Sequence, residues 1–377
     1  MNIKNKKIVM SPSSTHSKTK LLIFSLIAAL LFFLCAEIIT RIAVSITTKS
    51  GNFILYGIVK ENHELEPKYQ RIKGADGKEL YHKLIPSHDP RNPANRLGFR
   101  GPEIKGKDAN TVRVVCLGGS TTFGLGLYYE DTYPKLLENR LNHLSRNPNF
   151  EVINAGMPAL VLREITELIR HEIQHLQPDI IILMSIINNL QTPEFNFYSF
   201  FEIAGQERSM PLRWARKFKG ILVNHSVLIY SIDNILTRGV RQYNRNFNWE
   251  GFGNALLTSD TVWDTYLTNL KKLLEVIFQN NPHCKVVLLG EPLNIIDYPE
   301  MEQPYVRATE ILLKISKTNS HLRFIDVRDV FLNAQKSGKH VWVAPYYDPM
   351  HLTKDGNQVL AELVARDILL EEKGHSK

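Results

Sequence analysis

The residue types needed for nucleophilic catalysis occur in two short segments of the chain. Ser120 lies within the glycine-containing stretch 117–124, and Asp348 and His351 lie three residues apart near the carboxyl end. A serine hydroxyl is a poor nucleophile unless a base accepts its proton. An Asp beside a His can accept the imidazole Nδ1 proton, which leaves Nε2 free to act as that base. The sequence therefore predicts Ser120 as a nucleophile, His351 as its base and Asp348 as the group that orients His351.

Candidate donors for a developing negative charge follow two further apolar runs. Gly156 ends the stretch 152–156, and Asn188 lies at the end of the run that begins near residue 179. The backbone N–H groups of Ser120 and Gly156 and the side-chain amide of Asn188 could together form an oxyanion hole. Each donor of this kind typically changes the rate by about two to three orders of magnitude.

The glycine-containing stretch matches three other motifs only in part. No Gly-Lys-Ser/Thr follows, as a phosphate-binding loop requires, and the glycines lack the G-x-G-x-x-G spacing of a dinucleotide site. Thr122 takes the last glycine position of the G-x-S-x-G motif. The sequence therefore predicts no cofactor.

A second motif points to different chemistry. His171-Glu172-Ile173-Gln174-His175 matches HExxH, in which two histidines on one helix face bind zinc and the Glu acts as base. No third ligand follows at the usual spacing, so Glu194 or Glu202 would have to supply it. The motif also falls in a predicted crossover helix, away from the carboxyl ends of the strands. We predict no metal site and keep a zinc metalloprotease as a minor alternative, although the inward-facing Glu172 has no explanation at this level.

Short apolar runs alternate with amphipathic stretches from Val112 onward. The runs have the character of strands buried on both faces, as in a parallel sheet, and they are 112–117, 150–154, 179–185, 285–290 and 322–327. Helical patterns begin near Tyr133 and cover about 161–176, 262–280, 304–318 and 354–371. This alternation predicts an α/β fold: a doubly wound three-layer sandwich with a mostly parallel five-stranded sheet. Ligands of such sheets lie outside the carboxyl ends of the strands, where Ser120 is expected.

The N-terminal segment is basic and then apolar. Residues 1–20 contain five lysines and no acid; removing these lysines lowers the net charge from +8 to +3. Residues 21–46 are apolar except for Glu37 and Arg41, and can cross a bilayer as one tilted helix. The positive-inside rule then leaves the N-terminus in the cytoplasm and the catalytic region outside the cytoplasmic (inner) membrane. A cleaved signal peptide is the alternative.

These patterns predict a cytoplasmic tail (1–20), a transmembrane helix (21–46), a membrane-proximal linker or small irregular lead-in (47–108) and a catalytic domain (109–372). The long stretch 191–260 is an insertion that either covers the site or is purely structural. Three distant cysteines provide neither a zinc ribbon nor a disulfide framework. Because the charge excess is concentrated at the N-terminus, we predict no nucleic-acid partner.

Four blocks in order resemble the SGNH/GDSL hydrolase superfamily, in its membrane-anchored bacterial branch. They are Gly118-Gly119-Ser120-Thr121, Asn154-Ala155-Gly156, Asn188-Asn189 and Asp348-Pro349-Met350-His351, within a resemblance that covers roughly 112–370. The resemblance implies an SGNH (flavodoxin-like) fold with the same roles for the five residues: Ser120, His351 and Asp348 in catalysis, and Gly156 and Asn188 in the oxyanion hole. Gly119 and Asn189 depart from the family, which usually has Asp at both positions, and the glycine usual before the third block is absent.

The resemblance implies a serine esterase that passes through an acyl-enzyme. Its expected partners are a small-molecule, glycan or lipid acyl ester and the membrane, the latter through residues 21–46. Two alternatives remain open: an O-acyltransferase acting on envelope glycans, and a non-catalytic envelope scaffold. The oligomeric state has no sequence signal.

Overall fold

The computed structural model describes residues 15–48, 68–145, 148–191, 226, 228–229, 232, 249–296, 298–342 and 350–374. The chain forms two compact units. One consists of residues 1–61 and 207–242, and the other of residues 62–206 and 243–377.

The first unit contains one long helix, α1 (Thr15–Thr48). Its stretch Lys20–Ala43, 24 residues long, is apolar enough to cross a membrane. At about 1.5 Å per residue this stretch exceeds the hydrocarbon thickness of a bilayer, about 30 Å. Glu37 within it accepts a hydrogen bond from Arg41 Nε at 2.7 Å. Its second oxygen accepts bonds from Ser226 Oγ (2.7 Å) and Leu228 N (3.0 Å), so the acid has polar partners within its unit.

The second unit begins with an antiparallel hairpin, β1 (Tyr69–Lys73) and β2 (Glu79–Leu84). We call residues 68–108 the lead-in segment. This range lies inside the one expected to be a linker or irregular lead-in, and it contributes buried side chains to the unit's apolar core, among them Tyr81, Leu84, Ala94 and Phe99.

The central sheet has five parallel strands: β3 (Thr111–Gly118), β4 (Asn149–Asn154), β5 (Ile180–Met184), β6 (Lys285–Leu289) and β7 (Leu322–Ile325). Their order across the sheet is β4-β3-β5-β6-β7. All five residues of β5 are buried, because helices cover both faces of a parallel sheet. The predicted five strands and the doubly wound α/β class are therefore confirmed.

Helices pack on the two faces of this sheet. In chain order they are α2 (Ser120–Phe123), α3 (Tyr133–Leu144), α4 (Leu162–His171), α5 (Trp249–Thr258), α6 (Asp260–Asn280), α7 (Glu302–Ser316), α8 (Arg328–Lys336) and α9 (Lys354–Gly374). The core on one face includes α3, α8 and α9; the core on the other includes α4, α5, α6 and α7. Two apolar layers thus enclose the sheet, and α5 begins inside the predicted insertion 191–260.

The strand order reverses beside β3. The chain passes from β3 to β4 on one side and then returns to β5 on the other side of β3. The carboxyl ends of β3 and β5 therefore form the switch point at which such sheets bind ligands. Ser120 follows β3 and Asn188 follows β5, so the fold brings these two distant blocks to the same place.

Candidate active site

Ser120 is the first residue of the short helix α2, immediately beyond the end of β3. Its carbonyl accepts hydrogen bonds from Gly124 N (2.9 Å) and Leu125 N (3.0 Å), which close the turn that follows. Gly124 has a φ of 76°, a left-handed conformation that glycine adopts without strain. Ser120 is only 8% exposed, and its backbone N–H lies at the start of α2, where N–H groups have no acceptor within the helix.

His351 is the partner of the Ser120 hydroxyl. Its Nε2 lies 2.8 Å from Ser120 Oγ, which is hydrogen-bonding distance. The histidine loop is held next to α2 by Thr121 Oγ1, which donates to Met350 O at 3.4 Å. A backbone bridge between Trp342 and Leu352 fixes the loop on its other side. The structure therefore brings together two predicted catalytic residues that are 231 positions apart in the sequence.

Asp348, the third predicted catalytic residue, lies outside the described residues. The described chain resumes at Met350, so the structure gives no distance from the Asp348 carboxylate to His351.

Asn188 lies in a 3₁₀ turn, Ile187–Asn189, that follows β5. A Cβ placed on Gly119 would lie 2.3 Å from Asn188 Nδ2, so the amide lies directly against the residue before the nucleophile. Asn188 Nδ2 also donates to Leu160 O at 3.3 Å. The glycine in place of the family's usual Asp therefore has a physical reason in this chain, because Asn188 occupies the space that a side chain at position 119 would fill.

Gly156 packs against the nucleophile turn from the β4 side. A Cβ at this position would lie 2.5 Å from Phe123 N, so only glycine fits there. Its N–H donates to Asn154 Oδ1 at 3.1 Å. The structure thus brings Gly156 to the site, but with its predicted oxyanion donor already paired to a side chain.

Glu291 is a site residue that the sequence analysis missed. It follows β6 by two residues and is 4% exposed. Its Oε2 accepts hydrogen bonds from Ile186 N (3.0 Å) and Ile187 N (2.8 Å), the two residues before Asn188. Burial raises the pKa of the Glu291 carboxyl, although the two N–H donors and the charge of His351 oppose this rise. An acid just beyond a buried parallel strand was the available signal.

Arg100 is a second missed residue, and it comes from the lead-in segment. It is 2% exposed, and its guanidinium donates to the carbonyl oxygens of Phe123, Gly124 and Leu127. These carbonyls belong to α2 and to the loop after it. No periodic or motif signal marks Arg100 in the sequence.

The HExxH segment does not form one continuous helix. α4 ends at His171, Glu172 has a φ of −127°, and a 3₁₀ turn covers Ile173–Leu176. The geometry that places the two histidines on one α-helical face is therefore absent in this described segment. The inward Glu172 accepts hydrogen bonds from Tyr81 Oη (3.0 Å) and Lys83 Nζ (2.8 Å), which explains its position as an anchor for β2.

Several solved structures are similar to this chain over part of its length. A catalytic mutant of an acetylxylan esterase from Geobacillus stearothermophilus has 13% identity and a TM-score of 0.42, over 70% of this chain and 96% of that one. A lipolytic protein of the G-D-S-L family from Veillonella parvula has 12% identity and a TM-score of 0.39, over 67% and 96%. No curated protein sequence matches the chain.

The catalytic part of the chain also matches a family model. The model of the GDSL-like Lipase/Acylhydrolase family matches residues 116–359. This range is more than half of the chain; it begins in β3, ends in α9 and contains both Ser120 and His351. The predicted resemblance is confirmed: the chain belongs to the GDSL-like lipase/acylhydrolase family and is an ester-hydrolysing serine hydrolase.

Proposed function

We propose that the chain is a membrane-anchored esterase in which Ser120 attacks the acyl carbonyl and His351 moves the proton. The observation that carries this proposal is the 2.8 Å contact between Ser120 Oγ and His351 Nε2. A base within this distance can accept the hydroxyl proton as the new bond to carbon forms. The Ser120 backbone N–H and the Asn188 amide stabilise the oxyanion.

The reaction runs in two halves. Ser120 Oγ bonds to the carbonyl carbon while His351 Nε2 takes its proton, and the tetrahedral intermediate collapses when His351 returns that proton to the leaving alkoxide. Water then attacks the acyl-enzyme, gives its proton to His351 and releases the acid, after which Ser120 regains its proton. Asp348 orients His351 by accepting the Nδ1 proton.

Gly156 contributes to the oxyanion hole only when its N–H leaves Asn154 Oδ1, which it binds at 3.1 Å. On substrate binding, the Gly156 N–H would then donate to the oxyanion in place of Asn154 Oδ1. The Ser120 N–H and the Asn188 amide are the donors that need no such exchange with Asn154.

Retention of α1 as an anchor is supported by the contacts of Glu37. Its carboxylate binds Arg41 four residues along the helix, and Ser226 and Leu228 far along the chain. Cleavage after the apolar stretch would remove this partner of Ser226 and Leu228. Five lysines before the helix favour a cytoplasmic N-terminus and a catalytic domain on the other side. Protease added to intact bacterial spheroplasts should then digest the catalytic domain, whereas a cytoplasmic domain would be protected.

The catalytic proposal is tested by hydrolysis of p-nitrophenyl acetate with the full chain in detergent. We expect Ser120→Ala and His351→Ala each to lower kcat by at least about 10³-fold. His171→Ala is the matched control and should keep wild-type activity, because His171 is half exposed and pairs only loosely with Glu167, at 3.8 Å. Activity that persists in Ser120→Ala but disappears in His171→Ala would overturn the proposal.

A further inference from the structure

Arg100 holds the nucleophile turn from a segment that precedes the family match. Nη1 donates to Phe123 O (2.6 Å) and Gly124 O (2.8 Å), and Nη2 donates to Leu127 O (2.5 Å). The guanidinium carbon also lies 4.4 Å from the centre of the Phe123 ring. One side chain therefore binds three carbonyl groups of α2 and of the loop that follows it.

We infer that Arg100 is a positioning residue for catalysis: it fixes the turn that presents Ser120 to His351. This inference rests on the proposed function, since it concerns the same nucleophile. It also makes the lead-in segment, which lies outside residues 116–359, a working part of the active site.

The charge of Arg100 argues against a role in stability alone. The hydrogen bonds described for its guanidinium go to neutral carbonyl oxygens, and the buried Nε has no hydrogen-bond partner among the described residues. Burial lowers the pKa of Arg100 to about 9. Neutral carbonyl groups offset less of the desolvation cost of a buried charge than a carboxylate does, so a fold selected only for stability would favour an apolar side chain here.

Arg100 is itself held rigidly. Its backbone N–H donates to Asn154 O at 3.1 Å, and Asn154 Nδ2 donates to Phe123 O at 3.3 Å. The fully buried Phe99 and the Asn95 side chain, which accepts from Phe99 N at 3.1 Å, fix the residues just before it. The turn of Ser120 is thus bound on one side by Arg100 and Asn154. A displacement of about 1 Å at a reacting group can cost about 10²-fold in rate.

Arg113 offers a matched control. It is equally buried, at 3% exposed, but lies near the opposite end of β3 from Ser120. Its guanidinium binds Glu151 (2.6 Å) and the carbonyls of Leu176 (2.7 Å) and Lys105 (2.8 Å). Replacing either arginine removes three or more hydrogen bonds from the core, but only Arg100 contacts the nucleophile turn.

The test compares Arg100→Met, Arg100→Lys and Arg113→Met in the full chain in detergent. Three quantities are measured below the melting temperature of each variant: kcat and KM for p-nitrophenyl acetate, the rate at which a fluorophosphonate labels Ser120, and Tm. We expect Arg100→Met to lower kcat and the labelling rate together by about 10²-fold with little change in KM. Arg100→Lys should recover part of this loss, because it keeps the charge but not the fork of donors.

Arg113→Met should lower Tm and leave kcat and labelling unchanged. The inference is overturned if Arg100→Met and Arg113→Met lower Tm alike and both keep wild-type kcat and labelling. If Arg100→Met does not fold, wild-type labelling and kcat in Arg100→Lys would equally overturn it. Failure of the proposed function looks different: the wild type itself would neither hydrolyse the ester nor react with the fluorophosphonate.

Discussion

The two edges of the parallel sheet, formed by the amino ends and the carboxyl ends of its strands, give charged side chains different kinds of partner. At the amino edge, Arg113 pairs with Glu151 at 2.6 Å and Lys107 pairs with Asp179 at 2.7 Å. At the carboxyl edge, the hydrogen bonds described for Arg100 and Glu291 go to backbone carbonyl and N–H groups. Paired charges offset part of their desolvation cost, whereas Arg100 and Glu291 at the carboxyl edge are bound to neutral backbone groups of the turns at the candidate site. The comparison indicates that one edge is built for stability and the other for positioning.

Among the variants that distinguish the two edges, we expect the largest change in kcat/KM from Glu291→Ala. Glu291→Ala leaves the N–H groups of Ile186 and Ile187 without their acceptor and loosens the turn that carries Asn188. We expect kcat/KM for p-nitrophenyl acetate to fall by about 10²-fold, the effect of losing one oxyanion donor. Glu291→Gln, whose amide oxygen can accept both bonds, should lose much less. Unchanged kcat/KM in Glu291→Ala would show that the carboxyl edge does not use this acid for positioning.

A smaller effect on the same edge is expected at Gly119. The Cβ of Gly119→Ala would lie 2.3 Å from Asn188 Nδ2 and push the amide away from Ser120. Because the obstructing atom is the end of a side chain, which can move, we expect a loss of about 10-fold in kcat rather than misfolding. Gly106→Ala is the control, since nothing lies within 4 Å of its added Cβ. Equal kcat in the two variants would contradict the close approach of Asn188.

At the amino edge, removing a charge should change stability and not catalysis. Glu151→Gln deprives the buried Arg113 of its counter-ion, while Glu151 itself is partly exposed. We expect the free energy of unfolding to fall by about 1–2 kcal/mol, less than for a fully buried pair. Urea unfolding measures this loss, and kcat should remain at the wild-type value. A loss of kcat with unchanged stability would reverse the distinction between the edges.

The smallest expected effect is the pH dependence that Glu291 adds to stability. Its pKa is raised above 4.5 in the folded chain, so the folded state holds the proton to higher pH than the unfolded chain does. The contribution is therefore fully present below about pH 4.5 and is lost as pH rises through the folded pKa. The Tm of the wild type, measured relative to Glu291→Gln, should therefore fall as the pH rises above 4.5. The charge of His351 opposes the rise of this pKa, and a Tm difference that stays constant as the pH rises above 4.5 would contradict the raised pKa.

Much of the catalytic domain could be predicted because its signals are local. β5 is apolar throughout and β6 is apolar after Lys285, as a strand buried on both faces requires. Ser120 and His351 were recognisable from residue type and neighbours. The lead-in segment was not, since its prolines interrupt every periodic pattern while its buried side chains are scattered.

The features that could not be predicted from the sequence are contacts made in the folded chain. Glu172 had no explanation until β2 brought Tyr81 and Lys83 to its carboxylate, about 90 positions away in the chain. The pairing of the Gly156 N–H with Asn154 is local, yet it depends on how β4 ends beside the nucleophile turn. Neither relation leaves a pattern in residue type or spacing.

The sequence by itself determined the fold class and the family, and it predicted Ser120 and His351 as nucleophile and base, because apolar periodicity and short motifs are properties of neighbouring residues. Tertiary structure alone decided that Arg100 binds the turn of Ser120, that Glu291 binds the turn of Asn188, and that Asn188 fills the space beside Gly119. These contacts depend on the order and register of the strands, because order and register determine which buried donors lie next to which acceptors. Because an unpaired buried polar group is costly, most of these groups are paired, and only the packed chain decides with which partner.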